Sequence, residues 1–447
     1  MNERKGQGSS VPQLGWWDSG GWALSLIVAY MVLASLPVAL AFAYGPTTGA
    51  PFWRELGKGA GMFGFALLAL QFPLSGRFRL VDRSFGLDVV MRFHKVMAVF
   101  AGVLLLLHPA SFVISARTFR LLSFETPWQL NLGKAALLLL TLVIAFALLA
   151  EKLRVDYQIW RASHKVVIVV LTLGFVHSLL VGSDMRSAGL RVYWWVLFGE
   201  AALIFLYGNA FVALWGRRRL RVTGVKQETH DTYTIALEPA HGKVLAHAPC
   251  QFWFLKLQRP GRRSEEHPFT ISSSPTGEPP MTSTIKESGD YTKTIGVTRP
   301  GDGALVEGPY GRFSLVYHEA EAFLFIAGGV GITPIMSMLR CLRDTGDPRP
   351  AILLYGNKTE QDIIFRRELD DMGERVQVVH VLGEAPSHWA GPRGYVTEGL
   401  IRQHAGHVLE RAHVYLCGPP PMMDKVIRAL RALGVPDERI HYERFAI

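Results

Sequence analysis

Six apolar stretches of membrane-spanning length fill the first half of the sequence and restrict what this half can fold into. A helix needs about 20 apolar residues to cross a hydrocarbon core about 30 Å thick. In lipid every backbone polar group must be paired within the protein, so each stretch is predicted to be a helix. The stretches cover residues 22–44, 58–74, 89–114, 134–151, 163–182 and 192–214.

The second half has a different character. After the sequence WGRRRLRV, β-branched residues alternate with polar ones, and Gly and Pro mark frequent turns. This pattern is typical of soluble β and α/β structure, so a boundary is predicted near Arg217. The three cysteines, Cys250, Cys341 and Cys417, are far apart and form no CxxC pair. Neither a disulfide framework nor an iron–sulfur cluster is therefore expected.

The positions of the basic residues predict the orientation in the membrane. Lys and Arg are concentrated between the second and third spans, between the fourth and fifth, and after the sixth. The positive-inside tendency then places both termini in the cytoplasm. Much of the net charge of +10 follows from this topology. A lipid bilayer is therefore the expected partner, and nucleic acid is not.

Four histidines, the only ones in the first 229 residues, are confined to two spans. His94 and His108 lie fourteen residues apart in the third span, and His164 and His177 lie thirteen apart in the fifth. At 3.6 residues per turn each pair returns to about one helix face, with a rise of roughly 20 Å between its members. Since both spans run in the same direction, His94 is level with His164 and His108 with His177. Two facing pairs at two depths suit two stacked b-type haems.

Other roles for these histidines were weighed. A single histidine in a span often only donates a hydrogen bond to a neighbouring helix. A proton relay usually recruits carboxylates, of which the spans have almost none. A different metal ion would find only two ligands at each depth. Haem ligation is the preferred interpretation, because polar groups in lipid are costly and these four occur at matched depths.

The stretch EEHPFTISSSP in the second half resembles the flavin motif of the ferredoxin-NADP reductase superfamily, as found in NADPH oxidases and ferric reductases. The resemblance implies that Phe269 packs against the isoalloxazine, that Thr270 hydrogen-bonds near the flavin, and that His267 contacts its pyrophosphate side. The later stretches IKESGDYTKTI and PGDGALVEGPYGRFS match the rest of the family's flavin barrel. The implied FAD-binding residues are His267, Pro268, Phe269, Thr270, Ile285, Lys286, Gly308, Tyr310 and Gly311.

The stretch AFLFIAGGVGITPIMSMLRCLRD combines an apolar strand, a glycine turn and a helix opened by Thr333 and Pro334. A glycine turn lets the backbone approach a cofactor closely, and a helix N-terminus favours phosphate. The stretch resembles the nicotinamide nucleotide motif of the same superfamily, with Gly328, Gly329 and Gly331 in the turn.

Further nucleotide contacts are implied downstream. Asn357 and Lys358 are placed for the adenosine ribose side. Lys358, Arg366 and Arg367 are candidates for a 2′-phosphate, although a solvated helix face explains the two arginines equally well, so NADH and NADPH both remain open. In the superfamily, the segment formed by Cys417, Gly418 and Pro419 lies beside the nicotinamide. Phe445 resembles the near-terminal aromatic that covers the flavin. The implied catalytic residues are Thr270, Cys417 and Phe445.

The resemblance covers nearly the whole chain, because DRSFGLDVVMRFHK and DYQIWRASHK look like the ferric-reductase-type transmembrane core. The expected fold is a six-helix transmembrane bundle holding two haems, then a flavin-binding antiparallel β-barrel and an α/β nucleotide-binding domain. The expected boundaries are 1–20 for a cytoplasmic segment, 21–216 for the haem domain, 217–318 for the FAD domain and 319–447 for the NAD(P)H domain.

The resemblance implies electron transfer from cytosolic NAD(P)H through FAD, the inner haem and the outer haem to an outside acceptor. Dioxygen giving superoxide is the favoured acceptor, and ferric iron or a ferric chelate at the cell surface is the alternative. Arg117, Arg120 and Arg186 in the outer loops would repel bare cations but attract anions, which favours oxygen or an anionic chelate, although ordinary loop charges explain these arginines equally well. A haem sensor without enzyme activity and delivery to a separate partner are the alternatives. No calcium-binding pattern is present, and no obligatory activator is expected. The expected location is a bacterial plasma (inner) membrane.

Overall fold

The computed structural model describes residues 20–44, 51–150, 152–240, 245–276, 279–373 and 376–444. The predicted cytoplasmic segment lies outside these ranges apart from Gly20, and so does Phe445. The chain forms two compact units, one ending at Trp215 and the other containing the chain from Gly216 onward.

The first unit is helical. Five helical segments are long and apolar enough to cross a membrane, with Tyr157–Val181 counted as one segment. A sixth span is obtained if the bent helix pair Phe52–Ser75 and Arg79–Phe85 is also counted as one. Five to six apolar helices are therefore present among the described residues. The helices are α1 (Gly20–Tyr44), α2 (Phe52–Ala69), α3 (Gln71–Ser75), α4 (Arg79–Phe85), α5 (Leu87–Ala116), α6 (Trp128–Leu149), α7 (Tyr157–His164), α8 (Val167–Val181) and α9 (Ala188–Leu206), followed by a π-helical segment (Tyr207–Gly216).

The bent pair coincides with the second predicted span. Its two parts, Phe52–Ser75 and Arg79–Phe85, meet at 91°. The turn between them contains Arg77, whose φ of 51° is left-handed and therefore ends the helix. The first part also begins before the predicted residue 58, since α2 includes a charged opening turn that hydropathy alone assigned to a loop.

The fifth predicted span also begins earlier than residue 163 and contains a break. α7 begins after Asp156, whose carboxylate accepts hydrogen bonds from the amides of Gln158 at 2.8 Å and Ile159 at 3.3 Å. This N-cap explains a helix start within a polar stretch. His164 ends α7, whereas His177 lies on α8.

The second unit begins with a six-stranded antiparallel sheet in the order β4-β3-β6-β1-β2-β5. β4 is an edge strand, which explains why Pro268 is tolerated there. The two edge strands approach each other, since the hydroxyl of Ser283 donates to the carbonyl of Thr270 at 2.8 Å. The strands are β1 (Arg218–Thr229), β2 (Thr232–Pro239), β3 (Phe252–Gln258), β4 (Glu266–Thr270), β5 (Met281–Lys286) and β6 (Gly303–Tyr310).

A five-stranded parallel sheet follows, in the order β11-β10-β7-β8-β9. All seven residues of β7 are buried, as expected for a central strand covered on both faces. The strands are β7 (Ala322–Gly328), β8 (Ala351–Asn357), β9 (Val376–Leu382), β10 (Ala412–Cys417) and β11 (Ile440–Glu443). The helices are α10 (Ile332–Thr345), α11 (Arg366–Asp370), α12 (Glu398–Ala405) and α13 (Pro420–Ala432).

Helix α10 joins the two sheets of the second unit. The hydroxyl of Ser337 donates to the carbonyl of Ser273 at 2.9 Å and accepts from the amide of Cys250 at 3.0 Å. One turn later, Arg340 donates to the carbonyl of Ser272 at 2.7 Å and pairs with Glu368. Because these bonds are buried or half-buried, they fix the nucleotide-type sheet against the flavin-type sheet.

Candidate functional site

The four histidines of the membrane unit form two facing pairs. The ring centroids of His94 and His164 are 6.2 Å apart, and those of His108 and His177 are 6.4 Å apart. Two imidazoles that share one metal ion between them have centroids roughly 6 Å apart, because each metal–nitrogen bond is about 2 Å long. Both pairs therefore have a spacing that fits a metal ion with one axial imidazole on each side.

The histidines nearer the predicted outer face are oriented by backbone carbonyls. Nδ1 of His108 lies 2.7 Å from the carbonyl oxygen of Gly57, and Nδ1 of His177 lies 2.9 Å from that of Gln129. A carbonyl only accepts hydrogen bonds, so each Nδ1 carries the proton and each Nε2 has a free lone pair for a metal. Backbone carbonyls commonly fix metal-binding histidines in this way.

Glycine makes room for the same two rings. A Cβ atom at Gly61 would lie 2.6 Å from Nδ1 of His108. A Cβ atom at Gly133 would lie 2.9 Å from the ring of His177. Real Cβ atoms essentially never approach other heavy atoms so closely, so both positions favour glycine.

The pair nearer the predicted cytoplasmic face has different surroundings. The indole of Trp160 stacks on His164 at a centroid distance of 5.5 Å and an interplanar angle of 25°. Among the described residues, the buried Nδ1 atoms of His94 and His164 have no hydrogen-bond partner. Within the described ranges, the inner pair therefore lacks the Nδ1–carbonyl contacts that orient the outer pair.

The outer pair lines a cavity of about 410 Å³. This volume lies within the range of about 300–1,000 Å³ that is typical of ligand sites. Three basic residues, Arg54, Lys58 and Lys134, share the lining with His108 and His177. Lys58 forms ion pairs with Asp184 and Glu55, each at 3.1 Å. Because Asp184 also lines the cavity and offsets the charge of Lys58, Arg54 and Lys134 supply its net positive charge, which favours carboxylates or other anions.

The predicted flavin motif forms β4. His267 stacks on Tyr291 at 4.3 Å, and its Nε2 lies 3.1 Å from a carboxylate oxygen of Glu265. Phe269 packs against the core of the antiparallel sheet, and Thr270 is buried at the end of the strand. Pro268 is exposed on the sheet edge. The motif thus presents its residues along one edge of the sheet.

The remaining predicted flavin residues lie on β5 and β6. Ile285 is a core residue, so a flavin contact at this position would come from its backbone. Lys286 pairs with Asp231 at 3.1 Å. Gly311 has a φ of 103°, which favours glycine, and Gly308 lies against the backbone of β3. The hydroxyl of Tyr310 donates to Glu307 at 2.8 Å.

The predicted nucleotide turn lies at the carboxyl end of β7. A Cβ atom at Gly331 would lie 2.3 Å from the carbonyl oxygen of Cys417, so only glycine allows α10 to approach β10 so closely. Gly329 has a φ of 52° and open space around it. Thr333 and Pro334 are buried in the first turn of α10. A tight turn, an open backbone and a helix N-terminus are features of dinucleotide sites.

Asn357 ends β8 at the same edge of the sheet. It is buried, and neither of its amide atoms has a hydrogen-bond partner among the described residues. Lys358 is exposed and lies 3.4 Å from Glu384. Arg366 pairs with Asp370 and Glu360, and Arg367 is exposed. Asn357 is therefore a better candidate for contacting a ligand than Lys358, Arg366 or Arg367, because its buried amide has no hydrogen-bond partner in the described part of the chain.

Cys417 ends β10 between β7 and β11, followed by Gly418 and Pro419. Its thiol is fully buried, and burial together with the nearby carboxylate of Glu443 raises the pKa of Cys417. The thiol is therefore neutral rather than a nucleophilic thiolate. A Cβ atom at Gly311 would lie 3.9 Å from Glu443, so Glu443 lies near both the flavin-type turn and Cys417.

Sequence reasoning missed the supporting groups at these sites. Gly61 and Gly133 were recognisable as small residues within apolar spans, a common sign of close packing. The carbonyls of Gly57 and Gln129 carry no such signal, because any residue supplies a carbonyl. The contacts of Ser337 with Ser273 and Cys250 were also not predictable, because the sequence does not show which sheet its helix packs against.

Comparison with known proteins gives matches to both units. Residues 60–175 match the family described as ferric reductase like transmembrane component, and residues 325–428 match the oxidoreductase NAD-binding domain. The reductase component of propane 2-monooxygenase from Mycolicibacterium goodii is 30% identical over 239 residues, covering 51% of this chain and 67% of that protein. The glycine betaine monooxygenase reductase subunit of Pseudomonas aeruginosa is 34% identical over 241 residues, covering 52% and 64%.

The FAD/NAD-binding domain of nitric oxide dioxygenase from Vibrio cholerae is 23% identical, with a TM-score of 0.45, and the match covers 51% of this chain and 98% of that one. This chain spans about two thirds of the length of the two curated relatives.

A transmembrane match followed by reductase matches defines a membrane-bound, NAD(P)H-dependent oxidoreductase with a module for FAD and NAD(P)H. The chain joins a ferric reductase like transmembrane component to a reductase module of the ferredoxin-NADP reductase type, and through that module it belongs with the NAD(P)H-dependent reductases.

Proposed function

We propose that this protein transfers electrons from cytosolic NAD(P)H through FAD and two stacked b-type haems to dioxygen on the outer face, giving superoxide. The observation that carries the proposal is the pairing of four histidines at two depths, with ring centroids 6.2 and 6.4 Å apart. One histidine pair alone could serve a local role at one depth, whereas two pairs at two depths would place two electron carriers in series across the membrane.

In this proposal His94 and His164 would hold the inner haem, and His108 and His177 would hold the outer one. The carbonyls of Gly57 and Gln129 keep Nε2 of the outer pair unprotonated. Bound FAD and haem would supply the change from two-electron to one-electron transfer. The chain itself holds the ligand nitrogens in facing pairs.

The reductase unit positions the donor. The proposed residues for the flavin are those of β4 and the turn at Gly311, and Thr270 is proposed to hydrogen-bond near the flavin. The backbone from Gly328 to Gly331 and the N-terminus of α10 are proposed to hold the NAD(P)H pyrophosphate. Asn357 is proposed to bind the ribose, and neutral Cys417 to contact the nicotinamide. Phe445 stays a predicted flavin cover outside the described residues.

The topology proposed here has both termini in the cytoplasm of a bacterial cell and six spans in its plasma membrane. The basic segments around Arg77 to Arg83 and Lys152 to Lys165 then face the cytoplasm. The proposed domain boundaries remain 21–216, 217–318 and 319–447. No activator protein is required in this proposal.

A ferric chelate is the second candidate acceptor. Three basic residues, Arg54, Lys58 and Lys134, line the cavity beside the outer histidines, and such a rim attracts an anionic chelate.

The test is anaerobic reduction of the detergent-purified protein, supplied with FAD and then with NADPH or NADH. We expect reduced b-type haem bands that disappear when oxygen is admitted, with reduction of cytochrome c that superoxide dismutase suppresses. Bands that persist in oxygen but disappear with ferric citrate would identify the ferric chelate as acceptor. Haem that NAD(P)H fails to reduce would contradict the proposed path.

A further inference from the structure

Three histidines meet in the parallel-sheet domain, away from the sites described above. His413 is the second residue of β10 and His441 the second residue of β11, whereas His318 directly follows the turn Leu315–Tyr317 between the two sheets. Tyr415 is paired in register with His441, so His413, Tyr415 and His441 lie on one face of the sheet. We call His318, His413 and His441 the histidine cluster.

The ring nitrogens of the histidine cluster are close enough to share one ion. One nitrogen from each ring can be chosen so that all three lie within 4.8 Å of one another. Nδ1 of His413 and Nε2 of His441 are 2.9 Å apart. Nitrogens around one tetrahedral zinc ion lie about 3.3 Å apart, since each zinc–nitrogen bond is about 2.0–2.1 Å. The three rings stack on one another at interplanar angles of 13°, 19° and 28°, so they must tilt out of this stack to direct their nitrogens to one metal ion.

The protonation state also suits a metal. Burial, then repulsion from His318 and His413, lowers the pKa of His441 to about 3. Burial, then His413 and Arg312, lowers the pKa of His318 to about 4. Burial and Arg439 also lower the pKa of His413. At neutral pH all three rings are uncharged and have a lone pair to donate, as metal ligation requires.

The position of the cluster separates it from hydride transfer. Nucleotides bind at the carboxyl ends of parallel strands. His413 lies at the amino end of β10, four residues before Cys417. A metal here would instead tie the segment that leaves the flavin-type sheet to the last two strands of the nucleotide-type sheet. Its expected effect is mechanical support of the reductase unit rather than chemistry.

We propose that His318, His413 and His441 bind one Zn²⁺ ion, with a fourth position open to water. Zinc is the ion chosen because neutral imidazole is one of its preferred ligands and three protein ligands plus a water form a known coordination set. Within the described residues, this is the one group of three or more potential ligands of this kind. On binding, the hydrogen bond between His413 and His441 is replaced by two bonds to the metal.

The experiment is equilibrium dialysis of tag-free, full-length protein against buffered Zn²⁺, with metal content measured per chain. We expect wild type to retain one more zinc ion than His441→Gln and His413→Gln. His388→Gln is the matched control, because that ring is exposed, lies in the same domain and contacts Glu360 rather than another histidine. It should retain as much zinc as wild type. Equal zinc content in wild type and the cluster variants would overturn the proposal.

A second measurement needs no variant and so does not depend on the variants folding. X-ray absorption at the zinc edge of wild-type protein loaded with one equivalent should show three imidazole nitrogens at about 2.0–2.1 Å. The melting temperature should also rise with zinc concentration, because the ion binds the folded state. Coordination dominated by oxygen, with no imidazole signal, would mean that the three rings merely stack, and would refute the site.

Discussion

The membrane unit and the reductase unit build their candidate sites from different parts of the chain. In the membrane unit, the groups proposed to bind the redox cofactors are four histidine side chains on three helices. In the reductase unit, the nucleotide edge is made mostly of backbone at strand ends, with glycine at Gly329 and Gly331. The membrane site should therefore be sensitive to the loss of a side chain, and the nucleotide site to the addition of one.

The largest effect is expected from removing a histidine. His94→Ala should lose the inner haem and, with it, all NAD(P)H-driven reduction of the outer haem, because the path is broken at its first haem. His177→Ala should lose only the outer haem, so that the inner haem remains reducible but no acceptor is reduced. Haem content and anaerobic spectra measure both outcomes.

Thr172→Ala is the control for these variants. Thr172 lies on α8, as His177 does, and its exposed hydroxyl bonds only its own helix, at the carbonyl of Ile168. It should retain both haems. If His94→Ala also kept two haems, the four-histidine assignment would be wrong.

The next largest effect is expected from adding a methyl group at Gly331. The new Cβ would lie 2.3 Å from a carbonyl oxygen and 2.8 Å from the amide of Gly418, both backbone atoms that cannot rotate away. Overpacking of this kind costs about 1–3 kcal/mol, and a rigid backbone contact belongs near the upper end. Gly331→Ala should thus lower both stability and NAD(P)H affinity, as measured by denaturant unfolding and by nucleotide titration.

Gly399→Ala supplies the comparison in the same domain. Gly399 is exposed on α12 with no atom near its added Cβ, so alanine there should be neutral or slightly stabilising. Equal stability and equal NAD(P)H affinity of Gly331→Ala and Gly399→Ala would contradict the close approach of α10 to β10.

A smaller effect is expected where an added methyl group meets a side chain. Gly61→Ala would place Cβ 2.6 Å from Nδ1 of His108, which can move only by weakening its bond to Gly57. We expect roughly tenfold weaker binding of the outer haem, which corresponds to about 1.4 kcal/mol and lies within the range of about 1–3 kcal/mol for overpacking. Gly59→Ala, with nothing within 4 Å of its Cβ, should bind haem as wild type does. An unchanged outer haem in Gly61→Ala would argue against this ring position.

The smallest effect is expected at Asn357. Replacing it with alanine removes a buried amide that lacks a partner, so stability should stay the same or rise. The KM for NAD(P)H should increase roughly 2- to 10-fold, as for the loss of one hydrogen bond of about 0.5–1.5 kcal/mol. Gln377→Ala, at an exposed position on β9, should change neither quantity. A loss of stability without a change in KM would make Asn357 a purely structural residue.

The sequence predicted the features that repeat or that carry a strong local pattern. Hydropathy predicted the apolar helices, and the spacing of His94 and His108 predicted which histidines face each other, because helix geometry follows from residue counting. The sequence did not predict the 91° bend of the second span after Ser75, or the break between α7 and α8 after His164. Such features depend on single backbone conformations such as the left-handed Arg77.

In the reductase unit the order of the motifs predicted an antiparallel sheet followed by a parallel α/β domain. The contacts between the sheets through Ser337 and Arg340 were not predictable, since they join residues more than sixty positions apart. The histidine cluster has the same origin. The register of β10 and β11 brings His413 and His441 together, and the segment after the turn Leu315–Tyr317 places His318 against His441.

The most direct test of the account is the amount of haem bound by the purified wild-type protein. Pyridine haemochrome analysis, normalised to FAD and protein, should give two b-type haems per chain, and both should be lost together when His94 and His177 are replaced in one chain. A wild-type protein that folds, binds FAD and oxidises NAD(P)H but contains no haem would contradict the central claim.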